Sequence, residues 1–148
     1  HDAVMSRLTS ADAVVHCAAV ADYRPAHAAD AKIKDSRSQL TIELVPNPNI
    51  LRDCTAARAS RAAARQVIVG FALETDHFEE HAAEKLQKSG ADALLLNAPV
   101  ANDSGFGHDC VRYALVRPGV PVPEMKMGGK VDLAQEIVDF VLKELGNA

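Results

Sequence analysis

The chain has 148 residues and a net charge of −4 at pH 7, and hydrophobic residues make up 48% of it. This length is enough for one domain with a buried core, and no apolar stretch approaches the length of a membrane span. The negative charge argues against nonspecific binding of nucleic acid. The three cysteines lack CxxC spacing, which is typical of reduced thiols, and the first residues do not resemble a signal peptide. We therefore expect a cytoplasmic protein that binds neither membranes nor nucleic acid.

Helix and strand patterns alternate along the chain. In chain order, the predicted segments are a helix end at 3–10, a strand at 14–20, an extended segment at 40–45, a helix at 47–64, a strand at 67–72, a helix at 77–89, strands at 93–96 and 112–116, and a helix at 131–145. This alternation predicts a three-layer α/β fold with a mostly parallel, Rossmann-like sheet. The apolar residues Leu40, Ile42 and Leu44 occupy every second position outside this rhythm, which predicts an extended β arm at about 26–46. We interpret residues 1–148 as a single α/β domain.

Two helix boundaries carry clear sequence signals. Asn47 before Pro48 predicts a helix start, because Asn accepts hydrogen bonds from free amides and Pro fits the first helical turn. Gly90 predicts a left-handed end to the helix that precedes it. The apolar face of the last helix is predicted from four residues at helical spacing: Ala134, Val138, Val141 and Leu145.

Polar groups follow the predicted strand at 14–20. Asp22 and Arg24 come directly after it, and Lys32 and Lys34 lie on the segment downstream. Parallel α/β sheets bind ligands beyond the carboxyl ends of their strands. An acid at that edge with lysines within reach suits a polyphosphate that carries a metal ion. The alternative is a solvated loop with ordinary surface charges.

Four sequence blocks together point to one family. They are Ala18-Ala19-Val20-Ala21-Asp22-Tyr23-Arg24-Pro25 with Lys32-Ile33-Lys34, then Asn47-Pro48-Asn49-Ile50-Leu51, then Val69-Gly70-Phe71-Ala72-Leu73-Glu74-Thr75, and finally Lys85-Leu86 through Gly90-Ala91-Asp92 to Asn97 and Gly105-Phe106-Gly107. On these blocks the chain resembles phosphopantothenoylcysteine synthetase (phosphopantothenate–cysteine ligase), the C-terminal ligase domain of the bifunctional coenzyme A biosynthesis flavoproteins. The blocks keep the family's order over most of the chain.

The resemblance implies a ligase that joins 4′-phosphopantothenate to cysteine through an acyl-cytidylate intermediate, with CTP as co-substrate and Mg²⁺. It also implies a homodimer that pairs through the β arm, and an FMN-dependent decarboxylase that is fused or associated.

The resemblance also implies which residues form the site. Lys32 matches the family's catalytic, phosphate-binding lysine. Phe71 would lie against the base or the ribose, and its other interpretation is an ordinary core residue. The full set of positions that match CTP contacts is His16, Cys17, Ala18, Asp22, Lys32, Pro48, Asn49, Ile50, Leu51, Phe71, Lys85 and Lys88.

The chain departs from the family pattern in three places. Asp35 replaces the last lysine of a Lys-x-Lys-Lys run, and Ser89 replaces a lysine four positions beyond Lys85. Lys88 substitutes only in part for that second lysine, because a shift of one residue turns a helical side chain by about 100°. The family's Gly-rich opening unit and its catalytic Asn do not occur in this sequence, so we expect an N-terminally incomplete domain.

Several interpretations compete with the ligase. A catalytically incomplete nucleotide-binding or dimerisation module fits the lack of the opening unit, whereas a hydride-transferring dinucleotide enzyme is disfavoured by the lack of GxGxxG. His77 and His81 match an H-x-x-E-H zinc pattern, but the first turn of a surface helix explains them better. The spacing of Arg58, Arg61 and Arg65 predicts a solvated basic face, with a polyanion site as the alternative.

Overall fold

The structure, a computed structural model, describes residues 1–33, 39–60, 65–74, 78–98 and 109–146. The strands are β1 (Ala13–His16), β2 (Tyr23–Pro25), β3 (Leu44–Pro46), β4 (Val67–Leu73), β5 (Ala93–Ala98), β6 (Cys110–Val116) and β7 (Lys126–Gly129). The helices are α1 (Asp2–Met5), α2 (Ile50–Ala59), α3 (Phe78–Ser89) and α4 (Lys130–Gly146), and a 3-10 turn covers Leu8–Ser10. The predicted helix end at 3–10 is therefore split in two. None of the helices in these ranges combines the length and the apolar run that crossing a bilayer requires.

Five strands form the main sheet, in the order β1-β4-β5-β6-β7. β1 pairs in parallel with β4, and β4 pairs in parallel with β5. β6 runs antiparallel to both of its neighbours. Within this sheet β1, β4, β5 and β7 thus share one direction, which confirms the prediction of a mostly parallel sheet.

Helices cover both faces of the sheet. On one face, Cys54 of α2 and Leu86 of α3 pack with Ile68, Ala72 and Leu94 of the two central strands. The intervening residues of those strands pack against α4 on the opposite face. Because both faces are buried, β4 and β5 are continuous apolar runs, as is typical of parallel strands between helical layers. The three-layer prediction is confirmed.

The predicted apolar face of α4 is wrong for half of its residues. Ala134 and Val138 are exposed, and Val141 and Leu145 are only partly buried. The sheet instead receives the stripe one position earlier along the helix, formed by Leu133, Ile137 and Phe140. Both stripes have helical spacing, but the second contains larger side chains and therefore removes more apolar surface from water.

The start of α2 also differs from the prediction. Its N-cap is Asn49, whose Oδ1 accepts a hydrogen bond from the Arg52 amide at 3.0 Å. Asn47, the predicted cap, instead donates from Nδ2 to the Ala21 carbonyl at 2.7 Å. Two asparagines flank Pro48, and a tertiary contact decides which of them caps the helix.

Other boundaries were predicted unevenly. Gly90 ends α3 with φ 67°, as predicted. The first strand ends at His16 rather than at residue 20. The sequence did not predict β2 or β7, because neither shows a period-2 pattern. In β7, Gly128 permits close packing: a Cβ atom there would lie 3.1 Å from Cε1 of Tyr113.

The β arm is an antiparallel ribbon of β2 and β3, in which Arg24 lies opposite Val45. Leu40, Ile42 and Leu44 are 55% to 62% exposed. The arm is present, but of the predicted extended segment at 40–45 only Leu44 and Val45 lie in a strand, and residues 34–38 lie outside the described ranges. Its one apolar edge faces solvent in the single chain.

One of the three arginines predicted to form a solvated basic face is part of an ion pair. Arg58 is an ion-pair partner of Asp92, and its side chain is only 21% exposed. Arg65 Nη2 lies 3.8 Å from Glu144 Oε2, while residues 61–64 lie outside the described part of the chain. The solvated-face interpretation is wrong for Arg58, because the turn before β5 brings a carboxylate to it.

Candidate functional site

Predicted CTP contacts on β1 and α2 meet at one edge of the sheet. His16, the last residue of β1, lies opposite Gly70 of β4. The first turn of α2 lies over this glycine, because a Cβ atom at Gly70 would be only 2.5 Å from Cδ2 of Leu51. The edge is the carboxyl end of two parallel strands, where such folds bind ligands. The structure thus brings His16 together with the predicted contacts at 48–51.

His16 carries a buried polar atom at this edge. Its Nε2 is shielded from solvent and has no hydrogen-bond partner among the described residues. A buried ring nitrogen without a partner is unfavourable, so it suits a bond to a ligand or to water. Cys17 and Ala18 follow on exposed chain and present backbone groups at the same edge.

Asn47 joins the loop after β1 to the arm. Its amide donates to the Asp22 carbonyl at 2.7 Å, and its Nδ2 bonds the Ala21 carbonyl. Arg24 donates to Asn47 Oδ1 at 3.0 Å and to the Pro46 carbonyl at 2.8 Å. These bonds leave the Asp22 carboxylate exposed beside the site. The sequence did not predict that Asn47 and Arg24 anchor this loop, because neighbouring residues do not distinguish such a role from helix capping by Asn47 or solvent exposure of Arg24.

Lys32 lies on the segment that follows β2, outside regular structure, and is exposed. Its neighbours in the predicted cationic run, Lys34 and Asp35, lie outside the described residues. No bond in the described part of the chain ties Lys32 to the sheet edge. Its predicted contact with phosphates stays a prediction.

The end of β4 contributes an ion pair. Glu74, directly after the strand, is buried, and its Oε1 pairs with Nζ of Lys85 on α3. Its Oε2 lies 3.3 Å from Nδ1 of His81. The structure therefore brings Lys85 to the carboxyl edge. Sequence reasoning quoted Glu74 within a family block but gave it no role, since an acid after a strand usually remains in solvent.

Lys88 does not join this group. It pairs with Glu84 one turn back on α3, and its side chain is 72% exposed. α3 runs back from the carboxyl edge, because it connects the parallel strands β4 and β5. Lys88 thus lies a turn farther from that edge than Lys85, so the structure does not bring it to the other predicted contacts.

Phe71 points to the other face of the sheet. It is half-buried and packs against the α4 side of the core, whereas Leu51 packs on the α2 and α3 side. The ring is therefore separated by the sheet from the first turn of α2. Its partial exposure leaves one part of the ring accessible, and its contact with a base stays a prediction.

The H-x-x-E-H pattern of the zinc alternative falls partly outside the described residues. His77 lies outside the described residues, and His81 faces Glu74. Among the residues that the structure describes, no group of three or more His, Cys, Asp or Glu side chains has a metal-binding arrangement.

A cavity of about 510 Å³ lies elsewhere, between the start of α3, β6 and the segment before β7. Phe78 and Arg112 line it, with the guanidinium carbon 5.6 Å from the ring centroid. None of the predicted site residues lines this cavity.

Comparison with known proteins decides the family. The sequence pattern of the DNA/pantothenate metabolism flavoprotein C-terminal domain matches residues 1–145. The chain belongs to this family. The membership confirms the resemblance that the four sequence blocks indicated.

Relatives of this domain include bifunctional proteins of coenzyme A biosynthesis. The chain is 34% identical to the coenzyme A biosynthesis bifunctional protein CoaBC of Vibrio vulnificus (strain YJ016) over 149 residues, covering 99% of the chain and 36% of that protein. It is 37% identical to the CoaBC of Mycolicibacterium smegmatis over 146 residues, covering 95% of the chain and 35% of that protein. The chain thus spans about a third of the length of these relatives.

Solved structures show the same architecture. The crystal structure of the CoaBC C-terminal domain superposes with a TM-score of 0.73 at 27% identity, over 99% of this chain and 63% of that one. The DNA/pantothenate metabolism flavoprotein from Streptococcus pneumoniae superposes with a TM-score of 0.70 at 18% identity, over 96% of this chain and 67% of that one. These likenesses confirm the Rossmann-like α/β fold.

Proposed function

We propose that this domain is a CTP-dependent ligase that joins 4′-phosphopantothenate to cysteine in coenzyme A biosynthesis. Membership of the family and the coenzyme A relatives support the pathway. The observation that carries the proposal is the convergence of the His16 strand end, the first turn of α2 and Lys85 at the carboxyl edge. That edge combines backbone groups with an accessible cation, which a nucleoside triphosphate requires.

The proposed reaction has two steps. The substrate carboxylate attacks the α-phosphorus of CTP, and pyrophosphate leaves with the bonding pair. The amine of cysteine then attacks the acyl carbon, CMP leaves, and the amine proton passes to solvent as the amide forms. Charge accumulates on phosphate oxygens in the first step, so the protein contributes mainly cations and positioning. Lys32 and Lys85 are the cations that we assign to the phosphates.

Magnesium enters the proposal as the ion that accompanies the triphosphate. Mg²⁺ usually keeps several waters and binds one or two carboxylates together with substrate phosphates. The exposed carboxylate of Asp22, anchored beside the site through its backbone, fits this requirement. Bound magnesium would neutralise part of the phosphate charge.

Base recognition gives the sharpest test of binding. In this proposal, backbone groups at the end of β1 and the start of α2 read the Watson–Crick edge of cytosine, so CTP should bind at least about tenfold tighter than ATP. Titration calorimetry with Mg²⁺-CTP, Mg²⁺-ATP and NAD measures this directly. Equal affinity for CTP and ATP would contradict base reading, and preference for NAD would favour the hydride-transfer alternative.

Turnover separates the ligase from the incomplete module. Release of pyrophosphate from CTP, dependent on 4′-phosphopantothenate, supports the ligase. CTP binding without pyrophosphate release under saturating substrates supports a nucleotide-binding module without catalysis.

We also propose that two chains pair through their β arms. Leu40, Ile42 and Leu44 are exposed on the segment that leads into β3, and proteins cover exposed apolar strand edges by pairing. Light scattering should show a dimer, and replacing Leu40 and Ile42 with Ser should give a monomer. A monomer at high concentration in the parent chain contradicts this proposal. The bifunctional relatives support a further proposal, a fused or associated FMN-dependent decarboxylase as partner.

A further inference from the structure

The carboxylate of Glu74 has a distinct partner on each oxygen. Oε1 forms the ion pair with Lys85 Nζ, and Oε2 lies 3.3 Å from Nδ1 of His81. Its own backbone is fixed, because the Glu74 amide donates to the Asn97 carbonyl at 3.0 Å. Glu74 thus links the end of β4 to two successive turns of α3 and to β5.

The two members of the pair differ in exposure. The Glu74 side chain is 10% exposed and the Lys85 side chain is 52% exposed. An ammonium group has three N–H donors, and this carboxylate takes one of them from the buried side. The other donors of Lys85 are available to a ligand at the carboxyl edge. The ion pair therefore restrains the Lys85 side chain and still leaves N–H donors for a ligand.

We propose that Glu74 is a positioning residue, which holds the Lys85 ammonium at the carboxyl end of β4, ready to bind the phosphates of a nucleoside triphosphate. The inference rests on the proposed function, since the triphosphate is the ligand of that function. A free lysine loses much rotamer entropy when it binds, and Glu74 removes part of that loss in advance. The carboxylate is buried and also faces His81, which limits its repulsion of phosphate.

A second ion pair on α3 serves as a comparison, because both of its partners lie on the helix surface. Lys88 and Glu84 also form an ion pair, but their side chains are 72% and 59% exposed. Neither partner is fixed by the sheet, so both side chains keep their rotamer freedom. Only the Glu74 carboxylate is held by an element other than the helix that carries its lysine.

A double-mutant cycle in nucleotide binding tests the proposal. Titration calorimetry with Mg²⁺-CTP and with CMP compares the parent chain with Glu74→Gln, Lys85→Gln and the double variant. We expect Lys85→Gln to raise the Kd of CTP about tenfold, and Glu74→Gln to raise it about threefold to tenfold. The Kd of CMP should change less than about twofold, because CMP lacks the phosphates that Lys85 would reach. In the Lys85→Gln background, Glu74→Gln should add nothing.

The matched control is Glu136→Gln, which removes a carboxylate from the partly exposed Lys126–Glu136 pair on the α4 side. It should leave both affinities unchanged. Circular dichroism confirms folding, and if Glu74→Gln is unfolded at the assay temperature, Glu74→Asp, which withdraws the carboxylate by one methylene, must show the same pattern.

Three results overturn the proposal. They are an unchanged CTP:CMP ratio in Glu74→Gln, tighter CTP binding, or a loss that is as large without Lys85 as with it. A parent chain that binds no CTP overturns the proposed function as well. A parent that prefers CTP to CMP, with an unaffected Glu74→Gln, overturns the positioning role alone.

Discussion

The two ends of the sheet each carry an ion pair between a helix and a strand end, yet the two pairs are built differently. At the amino end, Arg58 of α2 pairs with Asp92, just before β5. At the carboxyl end, Lys85 of α3 pairs with Glu74, just after β4. Both pairs join a helix to the sheet. They differ in how many hydrogen-bond donors each cation has left for a ligand.

Both members of the amino-end pair form further hydrogen bonds within the protein. Arg58 donates from Nη1 to the Gln66 carbonyl at 2.8 Å and from Nη2 to the Gly90 carbonyl at 3.1 Å. Asp92 Oδ2 also accepts from the Ile68 amide at 2.7 Å. A guanidinium with carbonyls and a carboxylate around it is a structural clamp.

The carboxyl-end pair is engaged on one side only. Its acid is buried and its cation is half exposed, so the lysine remains accessible at the carboxyl end of β4. An ion pair between a helix and a strand end is therefore not by itself evidence of ligand binding. The number of donors left for a ligand separates a clamp from a binding group.

Removing the amino-end carboxylate should give the largest effect on stability. Asp92→Ala removes the carboxylate partner of the Arg58 guanidinium and the acceptor of the Ile68 amide, so we expect a loss of about 2–4 kcal/mol in the free energy of unfolding. For a chain of this size, that is a fall of roughly 5–15 °C in Tm. Thermal unfolding measures it, with Glu136→Ala as the control for a more exposed pair, expected to cost about 0–1 kcal/mol. Equal losses in the two variants would contradict the clamp.

Changing the exposed lysine of the arm should affect chemistry but not stability. We expect Lys32→Gln to lower the rate of acyl-cytidylate formation by roughly one to two orders of magnitude, if its phosphate contact strengthens as the intermediate forms. Tm should stay constant, because Lys32 is exposed, and cytosine selectivity should persist, because the base is read elsewhere. Pyrophosphate release measures the rate, with Lys143→Gln on α4 as the control. Normal turnover with altered base preference would show that the lysine is misassigned.

A methyl group at Gly70 should disturb the packing of Leu51, in the first turn of α2, on the sheet. In Gly70→Ala the new Cβ would lie 2.5 Å from Cδ2 of Leu51 and 3.0 Å from Cδ1 of Leu94, so the Leu51 side chain must move away from its place over the sheet. We expect a loss of about 1–3 kcal/mol and weaker binding of CTP. Adding Leu51→Val removes part of the clash and should restore much of the stability. If the double variant recovers no stability, the loss in Gly70→Ala does not come from the contact with Leu51.

Sequence pattern predicted the elements better than their partners. The strands of the core and the helices between them follow from apolar runs and periodicity, and Gly90 marks the end of α3 through its backbone freedom. The apolar face of α4 was wrong by one position, because two stripes have the same period and only the sheet selects Leu133 over Ala134. The pairing strand β7 was missed, since its formation depends on β6 rather than on its own pattern.

Site residues show the same division. The resemblance placed His16, Leu51 and Lys85 at positions that the fold brings to one edge. It gave no role to Glu74, whose burial arises only when α3 packs against the end of β4. A contact made by distant segments leaves no periodic signal in either segment, so the sequence alone could not reveal it.

The smallest expected effect concerns Cys54, the buried cysteine of α2. Burial raises the pKa of the Cys54 thiol above its ordinary value. As pH rises past about 8.5, the unfolded chain therefore loses this proton before the folded chain does, and stability falls. This loss in the free energy of unfolding is close to zero below about pH 8 and stays under about 1 kcal/mol at pH 9. Urea unfolding at pH 7, 8 and 9 under reducing conditions should show the decline in the parent chain and in Cys17→Ala, whose thiol is exposed. Cys54→Ala should show a flatter profile, and a profile parallel to that of the parent would mean that another group causes the decline.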